Sequence, residues 1–78
     1  MKYIVVNCEH INYEINTPQL LGVFNTEQEA RAFVEEEIAK GLKEFPKLTR
    51  EEDCDILVER NEYDEITYYC AWEIMEVK

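Results

Sequence analysis

The chain contains no serine, and only two glycines, two prolines and one histidine among its 78 residues. Without serine, no Ser–His–Asp triad can be built, whatever the fold. The glycines stand alone at Gly22 and Gly41, so no glycine-rich loop exists to cradle a phosphate. Any imidazole acid–base chemistry would fall on His10 alone. The three cysteines (Cys8, Cys54, Cys70) are odd in number and lack CxxC spacing, which fits reduced thiols rather than a disulfide framework. The N-terminal apolar run, Tyr3–Val6, is too short for a signal-peptide core or a membrane span. A cytoplasmic protein is expected.

Positive charge is also scarce. Eight Lys and Arg stand against eighteen Asp and Glu, for a net charge of −10. The imbalance is concentrated: residues 51–76 carry ten carboxylates against one base, Arg60. Such a surface repels nucleic acid and anionic membrane and attracts basic protein surfaces. Direct nucleic-acid binding is disfavoured, because phosphate contacts supply most of the affinity.

What is present suffices for a core. The apolar fraction of 46 % exceeds that of a disordered acidic tail. At this length the chain is one domain, 1–78, near the lower size limit for self-sufficient folding. No linker, repeat or low-complexity tract divides it.

Lys2–Cys8 reads as a central strand, apolar on both faces. His10–Pro18 extends it or forms a long loop, and Gln19–Phe24 is a second strand. Thr26-Glu27-Gln28-Glu29 has the form of a capping box opening a helix. Ala30, Phe33, Val34, Ile38 and Leu42 follow at helical spacing, with Glu27–Arg31 and Glu36–Lys40 as i,i+4 pairs. Gly41 is expected to end the helix in the left-handed conformation. Thr49-Arg50-Glu51-Glu52 repeats the capping pattern and predicts a short helical turn. Asp55–Arg60 is a third strand, Asn61–Glu65 a hairpin loop and Ile66–Val77 a long fourth strand. In that strand Ile66, Tyr68, Cys70, Trp72 and Ile74 face the core, opposite Thr67, Tyr69, Ala71, Glu73 and Met75. The expected fold is α+β: a two-layer ββαββ arrangement with a mostly antiparallel four-stranded sheet and one main helix on one face.

The candidate partner-binding residues are Glu51, Glu52, Asp53, Asp55, Glu59, Glu62, Asp64 and Glu65, with Tyr63 and Tyr69 beside them. Tyrosine next to carboxylate is a common interface mixture, because the ring buries area while the hydroxyl keeps a partner. The plainer reading of the same acids is a solvated, solubilising surface. Cys8 and His10 share a strand face in a Cys–His spacing, but a nucleophile pair also needs an orienting third group. Cys8, His10, Cys54 and Cys70 are suitable zinc ligand types in a spacing that matches no zinc pattern. Glu51–Asp55 lacks the central glycine of an EF-hand calcium loop. No metal, cofactor or catalytic residue is expected.

In size, acidity, ββαββ layout and lack of enzyme motifs, the whole chain resembles the small acidic inhibitor proteins of phages and mobile elements, particularly anti-CRISPR proteins. The resemblance implies a non-enzymatic DNA mimic whose carboxylates occupy a basic groove meant for phosphate. Its partner would be a basic protein surface such as a CRISPR effector subunit, in the host cytoplasm. The alternative is a homodimer or accessory subunit assembling through the sheet face or fourth strand, leaving monomer and homodimer both open. A Cys8/His10 enzyme is the remote third reading.

The charge pattern makes one prediction independent of fold. Excess protein should give no mobility shift of duplex DNA or RNA at physiological salt, and a sequence-independent shift would contradict it.

Overall fold

A computed structural model describes residues 1–78 except Asn12, Tyr13, Asn16 and Asp53 and the side chains of Glu14 and Ile15. The fold is α+β: one helix packed on an antiparallel sheet. The strands are β1 (Lys2–Ile11), β2 (Glu14–Ile15), β3 (Gln19–Phe24), β4 (Thr49–Arg50), β5 (Ile56–Arg60) and β6 (Ile66–Val77). Helix α1 (Glu27–Glu44) lies between β3 and β4 in the chain. β1 pairs with β6 along its whole length, from Lys2↔Val77 to Ile11↔Tyr68. Its other edge carries both β3 and β2, which therefore share one lane. β5 pairs with the far side of β6, and β4 with β5. Six strand segments thus occupy five lanes.

This corrects the four-stranded expectation in two places. Within His10–Pro18, β1 runs on to Ile11 and β2 adds a short pairing back onto it. At Thr49-Arg50-Glu51-Glu52 the chain is not capped at Thr49: Thr49 and Arg50 pair with Val58 and Leu57, and the Cys54 amide donates to Glu51 O at 3.1 Å just after them. The capping pattern lacks an apolar helical run behind it, whereas Leu48 packs against the core and draws this segment onto the sheet.

The opening of α1 follows the sequence. The Thr26 side chain accepts the Glu29 amide hydrogen at 3.1 Å, with Glu27 and Glu29 in the positive first turn. The Glu29 carboxylate reaches back to the Thr26 hydroxyl, 3.1 Å away. Ala30, Val34 and Ile38 are buried against Val5 and Leu57. Phe33 packs at the margin, its ring 5.2 Å from that of Phe24.

The end of the helix differs from expectation. Gly41 is helical with negative φ, and α1 continues to Glu44 with Phe45 as its C-cap. Gly41 instead meets the sheet: a Cβ there would lie 2.8 Å from Leu57 Cδ1. The buried stripe therefore steps from Ile38 to Gly41 and turns Leu42 outward, 37 % exposed. Among the described residues neither expected i,i+4 pair forms: Arg31 faces Glu35 and Asp55 rather than Glu27, and no ion pair joins Glu36 to Lys40.

Paired strand residues share a face, which fixes the sidedness of the sheet. Tyr3, Val5, Asn7, Trp72, Ile74, Cys70 and Leu57 look toward the helix, as the β6 alternation predicted. Buried Asn7 is satisfied, with Nδ2 donating to Ala71 O at 3.0 Å and to Cys70 Sγ at 3.1 Å. Among the described residues no helix lies over the opposite face from Val23 and Ile4 to Met75 and Ala71. Among the described residues no helix is long and apolar enough to cross a membrane.

These contacts are testable. Ile38→Ala should cost about 2–5 kcal/mol, read from denaturant melts. Gly41→Leu should destabilise by about 1–3 kcal/mol through collision with Leu57. Were Gly41 a solvent-facing helix position, leucine would instead stabilise by up to about 1 kcal/mol.

Candidate acidic interface

The expected acidic surface lies mainly on the β4–β5 connection and the β5–β6 hairpin, and the fold treats its members differently. Asp55 is held by two arginines: Arg31 Nη1 at 2.7 Å and Arg50 Nη2 at 3.1 Å. Arg50 also grips Glu35 of α1 with both terminal nitrogens at 2.9 Å and donates from Nε to Cys54 O. Arg31 and Glu35 complete the ring at 3.6 Å. These four side chains tie the helix to the β4–β5 connection. Arg60 takes Glu51 at 2.8 Å and lies 3.8 Å from Asp64.

The ring moves its own titration. The Arg31 hydrogen bond, followed by the charges of both arginines, holds the Asp55 carboxyl below its ordinary range against the opposing effect of burial. The Arg50 fork does the same for Glu35. Both guanidinium groups are raised in turn, Arg31 chiefly by Asp55 and Arg50 chiefly by Glu35.

The hairpin loop is built on Asn61. Its Oδ1 accepts the amide hydrogens of Tyr63 at 2.9 Å and Glu65 at 3.0 Å. Its backbone N–H donates to Glu65 O, and its carbonyl accepts from Asp64 N. Asp64 takes the left-handed conformation at φ 63°, which an Asx residue tolerates better than most. This self-hydrogen-bonded loop displays Glu62, Glu65 and Tyr63, the last 74 % exposed.

The nine of the ten expected residues that are described do not all share one face. Glu62, Tyr63, Asp64 and Glu65 share the hairpin tip, and Glu52 is exposed on the preceding connection. Glu51 and Asp55 are engaged by arginine, and Asp53 lies outside the described residues. Glu59 pairs with Tyr68 on the helix side of the sheet. There the two border a groove of about 360 Å³ with Phe45, Pro46, Leu48, Glu44 and Lys47. Burial, then the neighbouring Cys70, pushes the Tyr68 hydroxyl above its ordinary range. Tyr69 faces the open side, its ring edge-on to His10 with centroids 5.1 Å apart.

The alternatives can be placed as well. Cys8 Sγ lies 3.6 Å from His10 Nε2, so the pair does meet. Glu9 points to the other face, and among the described residues no carboxylate hydrogen-bonds the imidazole. Cys70 is buried on the helix side, its thiol raised by that burial, and Cys54 is exposed. Among the described residues no three metal-ligating side chains converge. Compared with known proteins, the chain matches no family model, no curated protein and no solved structure.

Sequence reasoning missed the Arg31–Asp55–Arg50–Glu35 ring. Its members are separated by up to 24 positions, and only Glu35 at i+4 from Arg31 gives a local signal.

The ring sets a pH dependence. Carboxyls with lowered folded pKa values contribute stability above their unfolded values, about 3.9 for Asp and 4.3 for Glu. That stability is lost as pH falls through the lower folded values. Urea melts at neutral and acid pH should therefore show a gap between wild type and Asp55→Asn that closes on acidification. A constant gap would remove the ring from the account.

Proposed function

We propose that this protein is a non-enzymatic inhibitor that docks its carboxylates on the basic, nucleic-acid-binding surface of a partner protein, as a DNA mimic. A CRISPR effector complex is the partner class we favour. The observation that carries the reading is the division of charge. All three arginines pair with carboxylates inside the fold, and they engage four acids: Glu35, Glu51, Asp55 and Asp64. Twelve other described carboxylates, including Glu52, Glu62 and Glu65, have no cation within ion-pair distance. Unpaired acids on a hydrogen-bonded scaffold are available to a cationic groove.

Linear charge density supports the same reading. The Cα trace extends 44 × 23 × 20 Å, so the net charge of −10 averages to roughly one per 4 Å of long axis. A single nucleic-acid strand carries one per about 3.4 Å and duplex DNA one per about 1.7 Å. Within the groove at Phe45, Pro46 and Leu48, an incoming Lys or Arg stem finds apolar cover, and the two carboxylates Glu44 and Glu59 outweigh the one opposing charge of Lys47. Tyr63 adds contact area at the hairpin tip.

The test is a pull-down of guide-loaded CRISPR effector complexes on immobilised protein across a salt series. Binding should weaken as salt rises. Combined Glu52→Lys, Glu62→Lys and Glu65→Lys should abolish it with the circular dichroism unchanged, because these side chains are exposed and unpaired. Glu27→Lys with Glu36→Lys should do less. A salt-insensitive complex that survives reversal of the three acids would overturn the proposal.

A further inference from the structure

Among the described residues, the β3–β1–β6 part of one sheet face has no helix over it; toward β5 the same face closes, with Val58 1 % exposed. The open part carries Ile4, Val6, Leu20, Val23, Ala71 and Met75, placed together by the pairings Ile4↔Val23, Ile4↔Met75, Val6↔Leu20 and Cys8↔Ala71. Leu20 is 61 % exposed, Val23 56 % and Met75 44 %. Among the described strand residues, Glu73 is the one carboxylate on this side, opposite Val6, because Glu9, Glu59 and Glu76 face the helix side. The protein's negative charge therefore lies almost entirely elsewhere.

We propose that this open face packs against the same face of a second copy, forming a two-fold sheet-on-sheet dimer. Contiguous apolar surface of this extent marks an interaction site, and isologous packing lets one patch satisfy itself. Charge selects the occupant. A basic partner is drawn to clustered carboxylates, whereas among the described strand residues this face carries Glu73 alone, so two copies meeting here bring no acidic cluster against another. The size is that of a weak association. Residues of the β3, β1 and β6 lanes each cover ~3.3 by ~4.8 Å, on the order of 450 Å² in all. Two such faces together come just under the ~1,000 Å² of a stable interface, in line with a dimer that dissociates on dilution. Aligned packing of two sheets also leaves both helices outward, so the dimer presents two acidic surfaces on opposite sides. The inference stands apart from the DNA-mimic reading, since it needs no basic partner.

Sedimentation equilibrium of the full chain decides it. The expected mass at high micromolar concentration is twice the 9.3 kDa of the chain, falling toward monomer on dilution. Val23→Glu with Met75→Glu should give monomer at every concentration, with circular dichroism reporting its fold. Glu29→Lys on the helix side should leave the dimer intact. Peroxide oxidation of Met75 in the wild type supplies a readout that needs no variant: it should slow as concentration rises. A wild-type monomer whose Met75 oxidises at the same rate throughout would overturn the proposal and leave the face to a different protein. A dimer unaffected by the folded double variant would overturn it equally.

Discussion

The fit of α1 onto Val5 and Leu57 is the contact on which the other features depend. Ala30, Val34 and Ile38 supply a narrow apolar stripe, and Gly41 lets the last turn approach Leu57. Burying a large aliphatic side chain contributes about 1.5–3 kcal/mol. Few residues here are fully buried, so a single change in this stripe removes a large share of a small stability. The ring of Arg31, Asp55, Arg50 and Glu35 then fixes the helix to the β4–β5 connection from outside the core. One helix can cover one face, and among the described residues the β3–β1–β6 part of the second is left open.

The same economy organises the charge. Arginine, with its planar fork, takes every ion pair in the fold, while the lysines stay outside ion pairs among the described residues. Asp55 and Glu51, which read in sequence as part of an acidic docking run, are engaged by arginines within the fold. The acids left over sit on the hairpin, on α1, on the preceding connection and on the strands at Glu9, Glu59, Glu73 and Glu76. In our reading they form the working surface. The open face is our proposed site of self-association, and among the described strand residues Glu73 is the one unpaired acid that lies on it.

Much of the fold was legible because its signals are local. The Thr26 cap, the Ala30–Val34–Ile38 spacing and the alternation along β6 each depend on neighbours a few positions away. What failed depended on distant ones. Gly41 looked like a terminator until Leu57 stood beneath it, and Thr49–Arg50 looked like a cap until β5 offered an edge. The short β2 pairing could not be read from His10–Pro18 because two residues carry too little periodicity. At the candidate site, the hairpin acids were legible from composition. Which acids are engaged internally was not, since a carboxylate gives no sequence sign of the arginine it will meet.

Competition for nucleic acid tests the central claim most directly. Guide-loaded CRISPR effector complexes would be bound to their labelled target duplex, and the protein titrated in while mobility is followed. The account predicts that duplex is released from a susceptible complex and that excess unlabelled duplex restores binding, because both occupy one basic groove. A slower-migrating species holding effector, duplex and protein together would contradict it.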